Sequence, residues 1–174
     1  VVGGAGYIGS VVAAELLKDN HGVVILDNLQ QGHRAAVPPE AEFIEADVRD
    51  AAGLDKSFRN RRIDAVMHLA AESTVALSMT DPARFFAANL AGGINLLDAM
   101  RKHDVGKIIF SSSAAVYGEP QNAPMTENHP VHPVNVYGET KIMFERVLAW
   151  YGKAYGIRHV ALRYFNAAGA SSNL

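Results

Sequence analysis

The feature that most constrains this chain is a run of three evenly spaced glycines near its beginning. Gly3, Gly6 and Gly9 follow the pair Val1-Val2 and precede residues 10–18, which read as a helix. A strand, a glycine turn and a helix in this order lay a pyrophosphate on the helix N-terminus. Gly3 permits the tight turn, Gly6 lets the backbone approach the phosphates, and Gly9 lets helix and strand pack closely. Such spacing also occurs in ordinary turns, so the rest of the chain must show whether this turn binds a pyrophosphate.

Short apolar runs alternate with helical patterns along the remaining sequence. Runs of this kind, separated by helices, predict parallel strands that are buried on both faces. We therefore expect an α/β fold of the Rossmann type, a doubly wound parallel sheet with helices on both faces. The predicted strands are residues 1–2, 23–26, 42–46, 63–71, 107–110 and 159–162, and the predicted helices are residues 10–18, 51–59, a long helix opened by Pro82, and 135–155.

Asp27 follows the second predicted strand, 18 residues beyond Gly9. This is near the spacing of about 20 residues expected for an acid that binds the adenosine ribose. A carboxylate there accepts both ribose hydroxyls and repels a 2′-phosphate, so NAD is favoured over NADP. The alternative is a solvated turn aspartate, and the glycine turn favours ribose binding.

Asp47 and Val48 follow the third predicted strand, where an adenine ring would lie. Asp47 could accept a hydrogen bond from the exocyclic amine, and Val48 could cover the face of the ring. Asp47 could instead, or in addition, cap the helix that follows it.

The fourth predicted strand runs into small residues, which leave room for a ligand at a carboxyl strand end. Its histidine, His68, is interpreted as a core residue and not as a catalytic group. Residues 72–80 are expected to form an irregular loop before the long helix. Asn89 stands in the apolar stripe of that helix, where its amide needs a partner and could hold a neighbouring strand or reach the cofactor.

Three serines, Ser111, Ser112 and Ser113, end the fifth predicted strand and point hydroxyls towards the ligand crevice. Tyr137 and Lys141 stand four residues apart in a helical pattern and so share one helix face. A nearby ammonium and a positive nicotinamide ring favour the phenolate form of a tyrosine. With Ser113 on the same substrate oxygen, these residues form a proton-handling set beside a hydride acceptor.

The composition sets limits on other functions. The 174 residues fit one domain, and the net charge of -2 with interspersed signs does not indicate nucleic-acid binding. The sequence shows neither a membrane-length apolar run nor a secretory leader pattern, so a cytoplasmic location is expected. With no cysteine present, and with prolines around His129 and His132, no metal site is expected.

Taken in order, these motifs resemble the extended short-chain dehydrogenase/reductases over essentially the whole chain. The segments 3–10, 110–118 and 163–169 look most like those of the UDP-glucose 4-epimerase family. Two residues depart from that family's pattern: Val2 stands where Thr is usual, and Ser73 stands where many members carry a Lys near the cofactor.

The resemblance implies the role of each site residue. Tyr137 would be the base, with Ser113 on the sugar O4, Lys141 on the nicotinamide ribose, and Asn166 facing a UDP-sugar. The residues that it implies for NAD binding are Gly3, Gly6, Tyr7, Ile8, Gly9, Asp27, Asn28, Asp47, Val48, Leu69, Ala70, Ala71, Asn89, Ser111, Ser112, Tyr137, Lys141, Tyr164 and Phe165.

The implied reaction is a UDP-glucose/UDP-galactose 4-epimerisation through a 4-keto sugar, with NAD kept bound throughout. The resemblance also implies a homodimer, and it makes residues 1–174 an NAD-binding domain whose first strand is cut short and whose smaller C-terminal substrate domain is absent. Residues 168–174 are expected to be a loop.

Three other functions compete with this one. A 4,6-dehydratase needs carboxylates after the strand-five hydroxyl, where Ala114 and Ala115 stand. Epimerases of other nucleotide sugars, such as UDP-glucuronate or UDP-N-acetylglucosamine, stay open. A non-catalytic NAD-binding module would be expected to lack Tyr137 or Lys141, and both are present.

Overall fold

A parallel sheet runs through the centre of the molecule in the computed structural model, which describes residues 1–170; the loop predicted for residues 171–174 lies outside them. Strand β1 pairs with β2, and β4 lies between β3 and β5, all in parallel register. Val2 joins the two parts through bridges to Leu26 and His68. The strands are β1 (Val24–Asp27), β2 (Glu42–Glu45), β3 (Val66–His68), β4 (Lys107–Ser113) and β5 (Arg158–Tyr164).

Helices connect the strands. Pro82 occupies the first turn of the helix that it opens, as predicted, and that helix passes through a π-helical stretch, Phe86–Ala91, before it continues as an α-helix. The α-helices are α1 (Tyr7–Lys18), α2 (Ala51–Phe58), α3 (Val75–Thr80), α4 (Pro82–Phe85), α5 (Gly92–Lys102) and α6 (Val136–Tyr155); short 3₁₀ turns lie at Arg34–Ala36 and Ala114–Val116.

Apolar side chains are buried on both faces of the sheet. Neighbouring residues of a strand point to opposite faces, and on β1 this sends Ile25 and Leu26 into different clusters. Ile25 packs in the cluster of Ala13 from α1, whereas Leu26 joins Leu54 from α2 and Phe144 from α6. The predicted doubly wound α/β fold is confirmed.

His68 is a core residue, as predicted. It is almost fully buried, and its ring packs against the rings of Phe110 and Phe144. Neither ring nitrogen has a hydrogen-bond partner. Burial, with a smaller contribution from the charge of Lys141, lowers the pKa of His68 to about 3, so the imidazole is neutral.

Two local expectations were wrong. The segment 72–80 is not wholly irregular, because it contains α3, whose Ser78 is fully buried. The alternative in which Asp47 caps the following helix is also wrong, because Asp50 caps α2 by accepting a hydrogen bond from the Ala52 amide. Beyond the end of α1, Asn20 has the left-handed conformation, at φ 61°.

One predicted strand end also moved. The fifth predicted strand continues beyond residue 110 through the serines to Ser113, because the backbone of Ser111 to Ser113 pairs with Leu162 to Tyr164. Helix α6 keeps its predicted place, with the Asn135 side chain accepting a hydrogen bond from the Gly138 amide and Gly156 ending it at φ 73°.

Candidate active site

A cavity of about 410 Å³ lies at the carboxyl ends of the strands. It lies beside Val2, from which the chain adds β1 and β2 on one side of the sheet and β3, β4 and β5 on the other. This is the position at which doubly wound sheets bind ligands. The structure brings most of the predicted site residues into its lining, namely Gly3, Gly6, Tyr7, Ile8, Gly9, Asp27, Asn28, Asp47, Val48, Leu69, Ala70, Ala71, Ser111, Tyr137 and Lys141.

The glycine turn has the shape of a phosphate cradle. A Cβ atom at Gly3 would lie 2.4 Å from the Ala70 nitrogen, and one at Gly9 would lie 2.1 Å from the Gly3 oxygen, so both positions exclude a side chain. A Cβ at Gly6 would meet only the Gly3 oxygen, at 3.5 Å. Gly6 is also the N-cap of α1, and it has no side chain to accept the first-turn N–H groups, an arrangement that a phosphate completes.

Asp27 is buried at the end of β1, with 8% of its surface exposed. One carboxylate oxygen accepts a hydrogen bond from the Ala5 amide (3.0 Å), and the other accepts from the Leu29 amide (2.9 Å). Each oxygen keeps a second lone pair, so the carboxylate is held in place and can still accept two hydroxyls. A solvated turn aspartate would not have this environment.

Asn28 and Asp47 form the next part of the cavity wall. The Asn28 amide donates to Asp47 (2.8 Å), and Arg49 donates two side-chain hydrogen bonds to the same carboxylate (2.9 and 2.6 Å). The Arg49 guanidinium, followed by the Asn28 amide, holds the pKa of Asp47 well below its usual range. Val48 packs against Gly92, where a Cβ atom would come within 2.6 Å of the Val48 side chain.

Tyr137 and Lys141 project from the first turns of α6 towards the end of β4. The Lys141 side chain is 2% exposed, and its nitrogen donates a hydrogen bond to the Ser111 carbonyl (2.8 Å). The same nitrogen lies 5.5 Å from the centre of the Tyr137 ring. The side chains of Tyr137 and Ser113 lie close enough for Ser113 to favour the phenolate. The structure therefore brings Tyr137, Lys141, Ser111 and Ser113 together.

Burial opposes the charged forms of both residues. It raises the pKa of Tyr137, against a smaller lowering by the nearby Ser113 side chain, and it lowers the pKa of Lys141 to about 7. Burial thus outweighs the expected preference for a phenolate in the protein by itself. A protonated Lys141 would restore that preference, because an opposite charge compensates the burial of a phenolate.

Ser112 points away from the cavity, whereas Ser111 lines it, because neighbouring side chains of a strand point to opposite faces. Its hydroxyl donates to Glu145 of α6, which also accepts two hydrogen bonds from Arg163 of β5 (3.0 and 2.7 Å). Arg163 continues to the Tyr117 hydroxyl (3.0 Å). This network ties β4, α6 and β5 together behind the site.

Several predicted residues lie outside the cavity lining. Asn89 is buried, and its amide is used within the protein, on the backbone of Glu72 (2.8 and 2.9 Å) and on Thr140 (3.0 Å). Phe165 is 61% exposed beyond the end of β5. The predicted residues outside the lining are Asn89, Ser112, Ser113, Tyr164, Phe165 and Asn166.

Sequence reasoning missed a set of polar residues in the lining. Gln30 and Gln31 come from the loop after β1, and Glu72 from the loop after β3. Arg49 and Gly32 line the same cavity. The one signal in the sequence is Glu72, a charged residue directly after the small residues that end a buried strand.

Within residues 1–170, no group of three or more histidine, cysteine or acidic side chains could hold a metal ion. His129 accepts a hydrogen bond from the Gln121 amide and packs against Tyr117. None of the helices in residues 1–170 is long and apolar enough to cross a membrane.

The chain is similar to several proteins described as UDP-glucose 4-epimerases. Residues 1–173 match the NAD dependent epimerase/dehydratase family. A UDP-glucose 4-epimerase of Lactobacillus helveticus is 50% identical over 173 residues, which are 99% of this chain and 52% of that protein. The chain spans about half the length of the curated relatives it matches.

Solved structures give the same picture. A crystal structure of UDP-glucose 4-epimerase from Brucella ovis in complex with NAD has a TM-score of 0.95 at 45% identity, over 98% of this chain and 52% of that one. A UDP-glucose 4-epimerase from Thermotoga maritima with UDP-glucose has a TM-score of 0.93 at 36% identity, over 97% of this chain and 55% of that one.

Proposed function

This chain belongs to the NAD dependent epimerase/dehydratase family, and on that basis we propose that its protein interconverts UDP-glucose and UDP-galactose by inverting the sugar at C4. The observation that carries the proposal is the grouping of Tyr137, Ser113 and Lys141 next to a glycine cradle at one sheet edge. The similarity to UDP-glucose 4-epimerases supports the choice of sugar.

The cavity fits the pyrophosphate and the adenosine ribose of NAD. Gly6 leaves space against the turn for a pyrophosphate, and Asp27 keeps free lone pairs for the two hydroxyls of the adenosine ribose. Asn28, Asp47 and Val48 would then lie by the adenosine, and Leu69 to Ala71 along the cleft. NAD, when bound, supplies a group that accepts a hydride from the sugar and returns it. Tyr164 and Phe165 are proposed to lie by the nicotinamide.

Tyr137 is proposed to take the proton from the sugar O4 and to give it back at the end of the reaction. Ser113, whose side chain lies close to Tyr137, would hold the same oxygen. Lys141 would stabilise the phenolate by its charge and would bind the nicotinamide ribose. Asn166 is proposed to face the UDP-sugar. The sugar passes through a 4-keto form and turns before the hydride returns, so no net oxidation results.

The chain is proposed to be the NAD-binding domain, residues 1–174, of a protein with a smaller C-terminal domain that provides most UDP contacts. Its coverage of about half of each matched relative supports this division. Other UDP-sugars are the alternative substrates, because their selection would depend largely on that second domain. A dehydratase is disfavoured by Ala114 and Ala115 beside Ser113.

We also propose a homodimer formed through the helices after β3 and β4. Trp150 is 67% exposed on α6, and Tyr155 is exposed on the same helix. Large exposed aromatic side chains on one helix are typical of association surfaces. A cytoplasmic location and a role in galactose metabolism belong to the same proposal, since they follow from the proposed substrates.

The test uses the full-length protein and UDP-galactose, with no NAD added, and follows the appearance of UDP-glucose. Conversion is expected, because NAD stays bound through the cycle. UDP-N-acetylgalactosamine and UDP-glucuronate are tested in parallel. A folded protein that holds NAD and converts none of these sugars would contradict the proposal; conversion of only one of the other two would reassign the substrate.

A further inference from the structure

A buried carboxylate connects the two walls of the cavity. Glu72 has 4% of its surface exposed, and its carboxylate accepts hydrogen bonds from the side-chain amides of Gln30 (2.5 Å) and Gln31 (3.1 Å). Arg84 forms an ion pair with the same carboxylate (2.9 Å). Glu72 follows β3, whereas the two glutamines follow β1, so these hydrogen bonds span the cleft.

Hydrogen bonds from a buried asparagine fix the backbone of Glu72. Its N–H donates to the Asn89 oxygen (2.8 Å), and the Asn89 amide donates to its carbonyl (2.9 Å) and to Thr140 of α6 (3.0 Å). Asn89 and Thr140 are both buried. Glu72 is therefore a rigid anchor, whereas Gln30 and Gln31 are exposed residues on a loop.

The loop that carries the glutamines lies against the glycine turn. The His33 amide donates to the Ala5 carbonyl (3.0 Å), and a Cβ atom at Gly32 would come within 2.9 Å of the Ala5 backbone. Residues 28–33, which we call the clasp loop, thus extend from Asp27 across the turn. Its closed position depends on contacts at both ends, the Ala5 carbonyl and the Glu72 carboxylate.

We propose that Glu72 is a positioning residue that holds the clasp loop closed over a bound dinucleotide and so slows its release. Glu72 has this role only in a protein that holds NAD, so the inference rests on the proposed function. A reaction without net oxidation leaves the cofactor ready for the next cycle, and slow release then keeps the protein active without free NAD. Glu72 acts on the loop and takes no part in proton transfer.

The first experiment measures NAD release from the full-length protein by exchange against a fluorescent NAD analogue. The double variant Gln30→Ala/Gln31→Ala changes only exposed side chains and is expected to fold normally. Its release rate should rise roughly ten- to a hundredfold, since it loses two hydrogen bonds to a charged group. The single variant Glu72→Gln should also release NAD faster, and Glu15→Gln, which changes an exposed carboxylate on α1, is its matched control. An unchanged release rate in the double variant would overturn the inference.

A charge exchange tests the contact itself. Gln30→Glu sets two carboxylates against each other and should release NAD faster than the parent protein. Adding Glu72→Gln restores one amide and one carboxylate at the same total charge, and release should slow again towards the parent rate. A combined variant that releases NAD as fast as Gln30→Glu alone would contradict a direct contact.

A readout without cofactor separates this inference from the proposed function. In the NAD-free protein, hydrogen exchange in the clasp loop should quicken in the double variant, while the unfolding temperature stays near that of the parent. A parent protein that binds no NAD would defeat the proposed function, whereas a parent that holds NAD beside variants with unchanged loop exchange would defeat only the role of Glu72.

Discussion

The side-chain nitrogen of Lys141 lies 5.5 Å from the centre of the Tyr137 ring, one helical turn further along α6. Burial raises the pKa of the phenol and lowers that of the ammonium, so it disfavours each charge by itself. The two charges favour each other at this distance. Tyr137 and Lys141 are thus expected to change protonation state together when a positively charged ring or a substrate enters the cavity.

Replacement of Tyr137 by Phe removes the hydroxyl and keeps the ring. We expect the Tyr137→Phe protein to hold NAD but to epimerise UDP-galactose about 10³-fold more slowly, because a general base contributes roughly 10²- to 10⁴-fold. Turnover and retained NAD are measured on the same preparation. Tyr155→Phe changes an exposed tyrosine of the same helix and should alter neither. Full turnover by Tyr137→Phe would refute its role as the base.

The pKa of Lys141 makes stability depend on pH in the NAD-free protein. The pKa is about 7 in the folded chain against an ordinary value of 10.5, so between these pH values the unfolded chain binds more protons. The free energy of unfolding should therefore rise with pH across this window by up to roughly 5 kcal/mol, and the full penalty is present below pH 7.

The variant Lys141→Met removes the free-energy cost of burying the charged ammonium of Lys141. Urea titrations at several pH values should show this variant to be more stable than the parent at pH 6, with the difference shrinking as the pH approaches 10. Lys153→Met, at an exposed position of α6, reports the effect of losing a surface lysine. A difference between Lys141→Met and the parent that does not depend on pH would contradict the lowered pKa.

Substitutions at two glycines of the turn should have different effects, one on stability and the other on cofactor binding. Ala at position 9 would place a Cβ 2.1 Å from the Gly3 oxygen, so Gly9→Ala should lower the free energy of unfolding by about 3 kcal/mol or more. Gly6 has φ -82° and space around it, so Gly6→Ala should leave stability unchanged while its methyl group weakens NAD binding tenfold or more.

Thermal unfolding and NAD titration distinguish these outcomes. Gly22→Ala, where a Cβ atom would meet nothing within 4 Å, is the control for the loss of a glycine. NAD binding by Gly6→Ala as tight as in the parent would show that the phosphates do not approach this residue.

Glu145 supports the site from behind. Glu145→Gln keeps the shape of the side chain but weakens its hydrogen bonds from Ser112 and Arg163, so we expect a loss of about 2 kcal/mol in the free energy of unfolding. Ser111 and Ser113 flank Ser112 on β4, and turnover should fall as well. Chemical denaturation checks the first effect, with Glu15→Gln as the exposed control. Equal stability of the two variants would mean that the network adds nothing.

The sequence predicted those parts of the site that depend on local spacing. Three glycines in a strand-to-helix turn, Asp27 at the end of β1, and Tyr137 four residues before Lys141 have positions that local backbone geometry dictates. Each of these lines the cavity. The strand order follows from the short helical connections and the handedness rule, which leave few arrangements open.

Features that depend on contacts between distant segments were not predictable. Three consecutive serines do not show where β4 ends. Because β4 continues to Ser113, Ser112 lies within the strand and faces Glu145 and not the cavity. The contact of Gln30 with Glu72 joins two loops with no periodic pattern. Helix α3 leaves its apolar residues Val75 and Met79 exposed and buries Ser78, so its order comes from tertiary packing that a local pattern does not reveal.

The place of Val2 between Leu26 and His68 has a consequence for synthesis of the protein. The ribosome adds Val2 early and His68 much later. We therefore expect Val2 to pair with β1 first, while the side of Val2 that later pairs with His68 is still an unpaired sheet edge. Ribosome-bound chains arrested after β2 should be protease-sensitive near residue 2, and chains arrested after β3 should be protected. The cofactor cradle, in which Gly3 packs on Ala70, would then be completed only after the second half of the sheet begins to emerge from the ribosome.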